Sequence, residues 1–112
     1  MTEGLKNFIN GNLDLINENT KESWKEIYSS LLVSERSVFT EVMLAAGIDP
    51  AAILEYIPSH YLWRTNVKNY IIPDTVNFIA HWAFLDSRIE KIDIPNTVTK
   101  IDEAAFRSCE LL

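Results

Sequence analysis

The residues best suited to metal binding or nucleophilic catalysis in this sequence are two histidines, His60 and His81, and one cysteine, Cys109. The histidines are 21 positions apart, so a metal pair is conceivable if the chain folds into stacked coils. Zinc normally takes three or four protein ligands, however, and no second cysteine or clustered carboxylate stands at ligand spacing. Cys109 shares no repeat position with a histidine, which favours packing over nucleophilic attack. We therefore predict neither a metal site nor a catalytic residue.

Recognised catalytic and cofactor-binding motifs are also absent from the sequence. There is no G-x-S-x-G, no P-loop, no dinucleotide fingerprint and no H-E-x-x-H. Three glycines in all make phosphate-cradling loops hard to build. The adjacent carboxylates Asp102 and Glu103 point apart if the backbone is extended, as expected of a solvated face. The sequence predicts a non-enzymatic protein without a cofactor.

The C-terminal half of the chain repeats with a period of 22 residues, which is typical of a solenoid. Ile72-Pro73 returns as Ile94-Pro95. The same register pairs Val76 with Val98, Ile79 with Ile101, Ala83 with Ala105, Phe84 with Phe106 and Ile89 with Leu111. Moving a further 22 residues toward the N-terminus gives a degenerate copy of the repeat. Its residues at these positions are Leu54, Ile57, Tyr61, Leu62, Val67 and Tyr70. The coils are therefore predicted at Leu54–Thr75, Val76–Thr97 and Val98–Leu112, with an atypical first coil as solenoid ends require.

The pattern "IP.TV..I...AF..C..L" resembles the BspA-type leucine-rich repeat, and "IPNTVTKIDEAAFRSCELL" is its better copy. The resemblance implies a short strand ending at Ile-Pro, a second extended segment holding the Val and Ile, and inward packing of Ala-Phe and Cys. The middle copy departs from the pattern with Ser87 in place of the Cys, and both copies replace the usual Gly, with Ala80 and Asp102. Parallel, stacked strands are expected, because proline ends each strand at the same level.

The N-terminal half has the apolar spacing of amphipathic helices. One helix is predicted from Glu3 to Ile16, and a second after Asn19 or Thr20 as its cap. Ser34 is predicted to cap a third helix ending at Gly47, and Asp49-Pro50 to start a short fourth helix reaching about Tyr56. Residues 1–53 then form a helical segment that caps the solenoid of residues 54–112, giving one packed α+β unit.

Bulky aromatic and aliphatic residues at variable repeat positions are the candidate binding residues. Trp63, Leu85 and Arg107 share one position, and the arginine implies that it faces outward. Trp82 shares a second position with His60 that the repeat does not require to be apolar. Trp63, Trp82 and Leu85 are therefore predicted to form an exposed apolar strip, since tryptophan is enriched in binding hot spots. Cover of Trp63 by the helical segment is the alternative.

Two further surfaces are candidates for binding. The strand-side residues Ile71 and Asp93 are predicted to form a more polar face with Lys68, Glu90 and Lys91. Leu111 and Leu112 lie at an unfinished apolar edge, which invites pairing with another chain or a homodimer.

Composition and charge limit the kind of partner and the cellular compartment that we expect for this chain. With 47% hydrophobic and 23% charged residues the chain is expected to be globular, and it has no apolar run long enough to span a membrane. A net charge of −6 disfavours direct nucleic-acid binding but suits a basic protein partner. A single cysteine and no secretion signal at the start fit the cytoplasm.

The sequence therefore predicts a protein-binding module. The helical segment ending near "AGIDP...YIP" resembles small phage and prophage proteins in which such a segment precedes BspA-type repeats. This resemblance suggests an inhibitor of a bacterial defence protein, such as a CRISPR nuclease, acting in the host cytoplasm. A self-assembling structural or virion-associated protein is the alternative.

Overall fold

The computed structural model describes residues 1–112, and its N-terminal half is helical. The five helices are α1 Glu3–Gly11, α2 Leu13–Glu18, α3 Lys21–Ser30, α4 Val33–Ala45 and α5 Pro50–Leu54. The sequence prediction of one helix from Glu3 to Ile16 is wrong, because the chain breaks at Asn12 into α1 and α2. The Asn12 side chain donates a hydrogen bond to the Phe8 carbonyl, 2.8 Å away, directly after the poor helix former Gly11.

The other helix boundaries agree only in part with those predicted from the sequence. Thr20, not Asn19, caps α3, where it forms a capping box with Ser23. The prediction of Ser34 as a cap is wrong, because α4 already begins at Val33. The residue at the cap position is Leu32, whose side chain forms no capping hydrogen bond. Gly47 is left-handed with φ of 81°, as expected at the end of a helix.

The short helix α5 starts where the sequence predicts and ends earlier. Asp49 caps it by accepting a hydrogen bond from the Ala51 N–H at 3.2 Å, and Pro50 occupies the first helical position. The helix stops at Leu54 instead of about Tyr56, because Glu55 is left-handed and Tyr56 enters a strand.

The C-terminal half contains five short strands in two parallel sheets. They are β1 Tyr56–Ile57, β2 Asn69–Ile71, β3 Phe78–Ile79, β4 Lys91–Asp93 and β5 Lys100–Ile101. The sheet orders are β1-β3-β5 and β2-β4. Tyr70 pairs with Ile92 and Ile79 with Ile101, which is the 22-residue register read from the sequence. Strands β2 and β4 end one residue before the Ile-Pro pairs.

Each repeat also contains a wide turn built on left-handed residues that are not glycine. His60, Trp82 and Ala104 occupy one such position, 22 residues apart, with φ near 60°. Arg64, Asp86 and Ser108 occupy a second, with φ between 55° and 59°. Backbone hydrogen bonds join the turns of neighbouring repeats, for example from the Arg64 N–H to the Leu85 carbonyl at 3.0 Å.

One core runs through both halves of the molecule. Trp24 and Phe39 of the helices are fully buried, as are Tyr61 and Leu62, the bulky residues of the first coil. Aromatic rings contact one another in the order Trp24, Phe39, Tyr28, Tyr61, Tyr70, Phe84 and Phe106. The helices therefore pack directly on the first coil.

None of the helices combines the length and the apolar character that crossing a membrane would require.

Candidate functional site

The turns of the first two coils bring His60, Trp63, His81, Trp82 and Leu85 together, and we call these five residues the aromatic surface. Leu85 donates its N–H to the Trp82 carbonyl at 3.3 Å and accepts a hydrogen bond from Arg64 of the previous coil. Three of the five, Trp63, Trp82 and Leu85, are the predicted apolar strip. The 22-residue spacing thus places residues of adjacent coils side by side.

The strip is less exposed than the sequence suggests. Trp82 is 37% exposed, whereas Trp63 and Leu85 are half-buried. Arg107, at the repeat position of Trp63 and Leu85, is exposed as expected. Of the three residues of the predicted strip, Trp82 is therefore the most exposed.

His60 lies at the centre of the aromatic surface. Its ring meets Trp63 at 5.7 Å and Trp82 at 5.6 Å between centroids, both edge-to-face. Its Nδ1 is 2.6 Å from the Ser59 hydroxyl. Burial lowers the pKa of His60 below the usual 6.5, and the positive charge of Arg36 and the neighbouring His81 lower it further. The imidazole therefore favours its neutral form.

Trp82 is held between two histidines. His81 stacks on it with ring centroids 4.1 Å apart and an angle of 32°. His81 is itself fixed to the next coil, because its Nδ1 lies 3.0 Å from the Glu103 carbonyl. The indole is thus a positioned side chain and not a freely moving one.

Trp63 is covered by a cation of its own coil. The Arg64 guanidinium lies 4.7 Å above the Trp63 ring centre. Its Nε is also 3.3 Å from the Asp86 carboxylate of the next coil. The arrangement combines an indole, a guanidinium and a carboxylate across two repeats.

The second predicted surface lies on strands β2 and β4. Ile71 is 72% exposed and pairs in register with Asp93, which is also exposed. With Asn69, Tyr70 and Lys91 they line a shallow hollow. The two predicted residues are adjacent, on a different element from the aromatic surface.

The predicted self-association edge is exposed in this chain. Leu111 and Leu112 are 53% and 51% exposed, and Ile94 and Ile101 are also exposed. Strands β4 and β5 each have a neighbour on one side only. The last coil is therefore the least covered part of the repeats.

Metal binding finds no support in the arrangement of the side chains. No group of three or more histidine, cysteine, aspartate or glutamate residues is placed to hold a metal ion. Cys109 is half-buried, and its Sγ donates to the Phe84 carbonyl at 2.9 Å. The sulfur also meets the Ser87 hydroxyl at 3.5 Å, so the Ser and Cys of successive repeat copies contact each other.

Sequence reasoning missed a buried polar cluster between the helices and the repeats. Asp49 accepts hydrogen bonds from the hydroxyls of Tyr61 and Tyr70, the latter at 2.7 Å. Tyr28 shares a 2.7 Å hydrogen bond with Thr40. Burial raises the pKa of Tyr28, Tyr61 and Tyr70 well above 10, so all three hydroxyls stay protonated and able to donate. The only sequence signal of this cluster is that Tyr61 and Tyr70 occupy repeat positions at which the next copy has the smaller residues Ala83 and Ile92.

Comparison with known families identifies the repeats. The family model described as "BspA type Leucine rich repeat region (6 copies)" matches residues 18–112. No curated protein and no solved structure shows significant similarity to the chain. The matched range includes most of the helical half as well as all three coils. The chain therefore belongs to the BspA-type leucine-rich repeat family, whose repeats generally mediate protein–protein interaction and are typically non-enzymatic.

Proposed function

We propose that this BspA-type leucine-rich repeat protein binds another protein through its aromatic surface. In this proposal the coils form a short solenoid, and the helical segment of residues 1–53 caps its N-terminal end. The observation that carries the proposal is Trp82, a large indole exposed to solvent yet fixed by His60 and His81. A partly exposed, preorganised tryptophan has little rotamer freedom to lose on binding.

The residues around Trp82 support the same proposal. Trp63 and Leu85 extend the apolar area, and half-buried neighbours of this kind exclude water from a hot spot once a partner docks. Charged Arg64, Asp86 and Arg107 provide a polar rim. Ile71 and Asp93 form the competing surface on the strands.

A sharper form of the proposal concerns the partner. We propose a phage-encoded inhibitor that acts in the host cytoplasm on a bacterial defence protein, such as a CRISPR nuclease. A net charge of −6 and the phage-like helical segment support it. An acidic protein of this kind can meet the basic nucleic-acid groove of a nuclease.

Affinity capture from a bacterial lysate, followed by mass spectrometry, tests the proposed function. We expect one protein to be enriched by the wild type and lost with Trp63→Ala/Trp82→Ala. Ile71→Ala is the matched control, since it removes an exposed apolar side chain from the other surface. If the double variant captured the same proteins as the wild type, the aromatic surface would have no part in binding.

The alternative function is structural, and the exposed Leu111 and Leu112 favour it. In this hypothesis the protein self-assembles, or joins a virion, by pairing the edges of its last coils. Light scattering at high protein concentration should then detect a homodimer. A monomer, together with capture of a foreign protein, would exclude this function.

A further inference from the structure

The last coil exposes repeat positions that the coil before it buries. Ile79 is fully buried, whereas Ile101, at the same position one coil later, is 47% exposed. Ile89 and Leu111 differ in the same way, with exposed fractions of 0% and 53%. Because these positions belong to the core of the preceding coil, the last coil presents an open section of the core and not scattered surface residues.

The opposite end of the repeats is covered by the helices. Leu54, Ile57 and Leu62 of the first coil are fully buried. Tyr28 of α3 contacts Tyr61 of this coil, with ring centroids 5.8 Å apart. A second copy of the chain can therefore cover only the last coil, and each copy has one such end. Two copies joined there leave no open end for a third, so they form a closed dimer instead of a fibre.

The backbone of β5 is open to pairing with another strand. This strand has β3 on one side and no strand on the other. The Asp102 N–H donates to the Ile79 carbonyl of β3 at 2.9 Å. Since successive residues of an extended strand direct their N–H and C=O groups to opposite sides, those of Ile101 point to the open side.

The side chains of β5 are complementary to those of a second, antiparallel β5. The sequence there is Lys100-Ile101-Asp102, so a two-fold axis at Ile101 places each Lys100 opposite Asp102 of the other copy. Lys100 lies over the Phe78 ring, at 5.6 Å, and the period of two puts Asp102 on the same face. Neither residue forms an ion pair within the chain. Opposite charges stabilise such cross-strand pairs, whereas in-register parallel pairing would place lysine opposite lysine.

We infer that two copies of the chain form a closed dimer by pairing their β5 strands antiparallel about Ile101. The inference rests on the self-association hypothesis, and it names the strand, its orientation and the number of copies. The open apolar section of one copy then covers that of the other. The aromatic surface belongs to the first two coils, so the dimer carries two aromatic surfaces.

Sedimentation equilibrium of the full chain tests the inference. At about 150 mM salt we expect a dimer of twice the 12.9 kDa chain mass and no larger species at higher concentration. Asp102→Lys should weaken dimerisation about tenfold, because lysine then faces lysine in both pairs. Lys100→Asp/Asp102→Lys reverses each pair and should restore it. Asp93→Lys is the matched control, since β4 has the same Lys-Ile-Asp order, and it should leave the dimer unchanged.

Three outcomes would overturn the β5 pairing. A dimer that Asp102→Lys leaves unchanged would place the interface elsewhere, while the self-association hypothesis would stand. Loss of the dimer in both Asp102→Lys and the charge-reversed variant, with wild-type circular dichroism, would contradict the antiparallel register. A monomer at every concentration would refute both the pairing and the hypothesis.

The lysate capture separates this inference from binding through the aromatic surface. Asp102→Lys should still capture the partner that Trp63→Ala/Trp82→Ala loses, because its substitution lies in the last coil. Trp63→Ala/Trp82→Ala should in turn sediment as the wild type does. A double tryptophan variant that no longer dimerised would place the dimer contact on the aromatic surface and contradict the β5 pairing.

Discussion

At the scale of single residues, the turns of the repeats depend on left-handed backbone at positions without glycine. The chain has two such positions in each coil, occupied by His60, Trp82 and Ala104 and by Arg64, Asp86 and Ser108. A left-handed residue with a β-carbon costs about 1–2 kcal/mol relative to glycine, a cost that the hydrogen bonds between coils offset. These positions could not be read from the sequence, because glycine, the usual signal of positive φ, does not occur at them.

Substituting Ala104 by glycine should therefore stabilise the protein. We expect the free energy of unfolding to rise by about 1 kcal/mol, since glycine adopts φ near 60° without the steric cost. Ala80→Gly is the matched control, because Ala80 is similarly half-buried and lacks positive φ. The control should lose about 0.5–1 kcal/mol through the greater entropy of the unfolded chain. Urea denaturation measures both, and a loss of stability in Ala104→Gly would contradict the strain argument.

The pKa of His60 should report on the packing of the aromatic surface. We expect an NMR titration, assigned with His60→Asn, to place this pKa below 6.5, and Trp82→Ala to raise it by exposing the ring to water. The unfolded chain then binds more protons than the folded one between pH 6.5 and the lowered pKa, so His60 reduces stability as the pH falls through this range. A His60 pKa at or above 6.5 in the wild type would mean that the ring is not desolvated by its neighbours.

At the scale of elements, the five-residue helix α5 connects the helices to the repeats. It is too short to be stable alone, and its N-terminus is fixed by Asp49, which also accepts the hydroxyls of Tyr61 and Tyr70. Lys21 of α3 pairs with Glu55 at the other end of α5, 2.8 Å apart, but both side chains are exposed. The hydrogen bonds of Asp49 therefore contribute more to holding α5 in place than the exposed Lys21–Glu55 ion pair does.

Removing the Asp49 carboxylate should be strongly destabilising. Asp49→Ala removes a helix cap and leaves two buried tyrosine hydroxyls without their acceptor, so we expect a loss of about 3 kcal/mol. Asp14→Ala, an exposed acid in the first turn of α2, should change stability by no more than about 0.5 kcal/mol. Thermal and urea unfolding of both variants checks this, and similar losses in the two would argue against the buried cluster.

The sequence predicts the elements whose signals are local and repeated. The 22-residue period gives the register of Tyr70 with Ile92, because apolar residues at fixed spacing must face one core. The Asp49-Pro50 start of α5 is also predicted correctly, since both residue types have a defined capping role. The break at Asn12 and the uncapped start at Val33 are missed, because a side chain to backbone bond and tertiary packing decide them.

At the scale of the whole molecule, the aromatic rings form one path from the helices to the last coil. Tyr28 meets Tyr61 with ring centroids 5.8 Å apart, and Tyr70 meets Phe84 at 6.0 Å. The tyrosines of this path also carry the hydrogen bonds to Thr40 and Asp49, so ring contacts and buried polar contacts join the helical segment to the repeats at the same place. The two predicted regions, 1–53 and 54–112, should therefore depend on each other for stability.

Unfolding of a Trp24→Phe variant should be a single transition. Its fluorescence then reports only Trp63 and Trp82 of the repeats, whereas far-UV circular dichroism reports mainly the helices. We expect the two guanidinium midpoints to coincide. Trp63→Phe/Trp82→Phe is the control, since both of its probes report the helical half. Separate midpoints in Trp24→Phe alone would show that the helices and the repeats unfold independently.

The candidate site was only partly accessible from the sequence. The repeat correctly places Trp63, Trp82 and Leu85 on adjacent coils, because spacing determines which residues are neighbours. It does not reveal that Arg64 covers Trp63 or that His60 joins the two indoles, since these contacts depend on side-chain direction in left-handed turns. Of the three residues of the predicted strip, only Trp82 is consequently exposed.

The most direct test of binding through the aromatic surface is hydrogen–deuterium exchange of the chain, free and with the partner recovered by affinity capture. Our account predicts that the partner slows exchange in peptides covering residues 59–64 and 80–86. Peptides covering β2 and β4, where Ile71 and Asp93 lie, should exchange as in the free chain. Protection confined to β2 and β4, or to residues 98–112, would contradict the account.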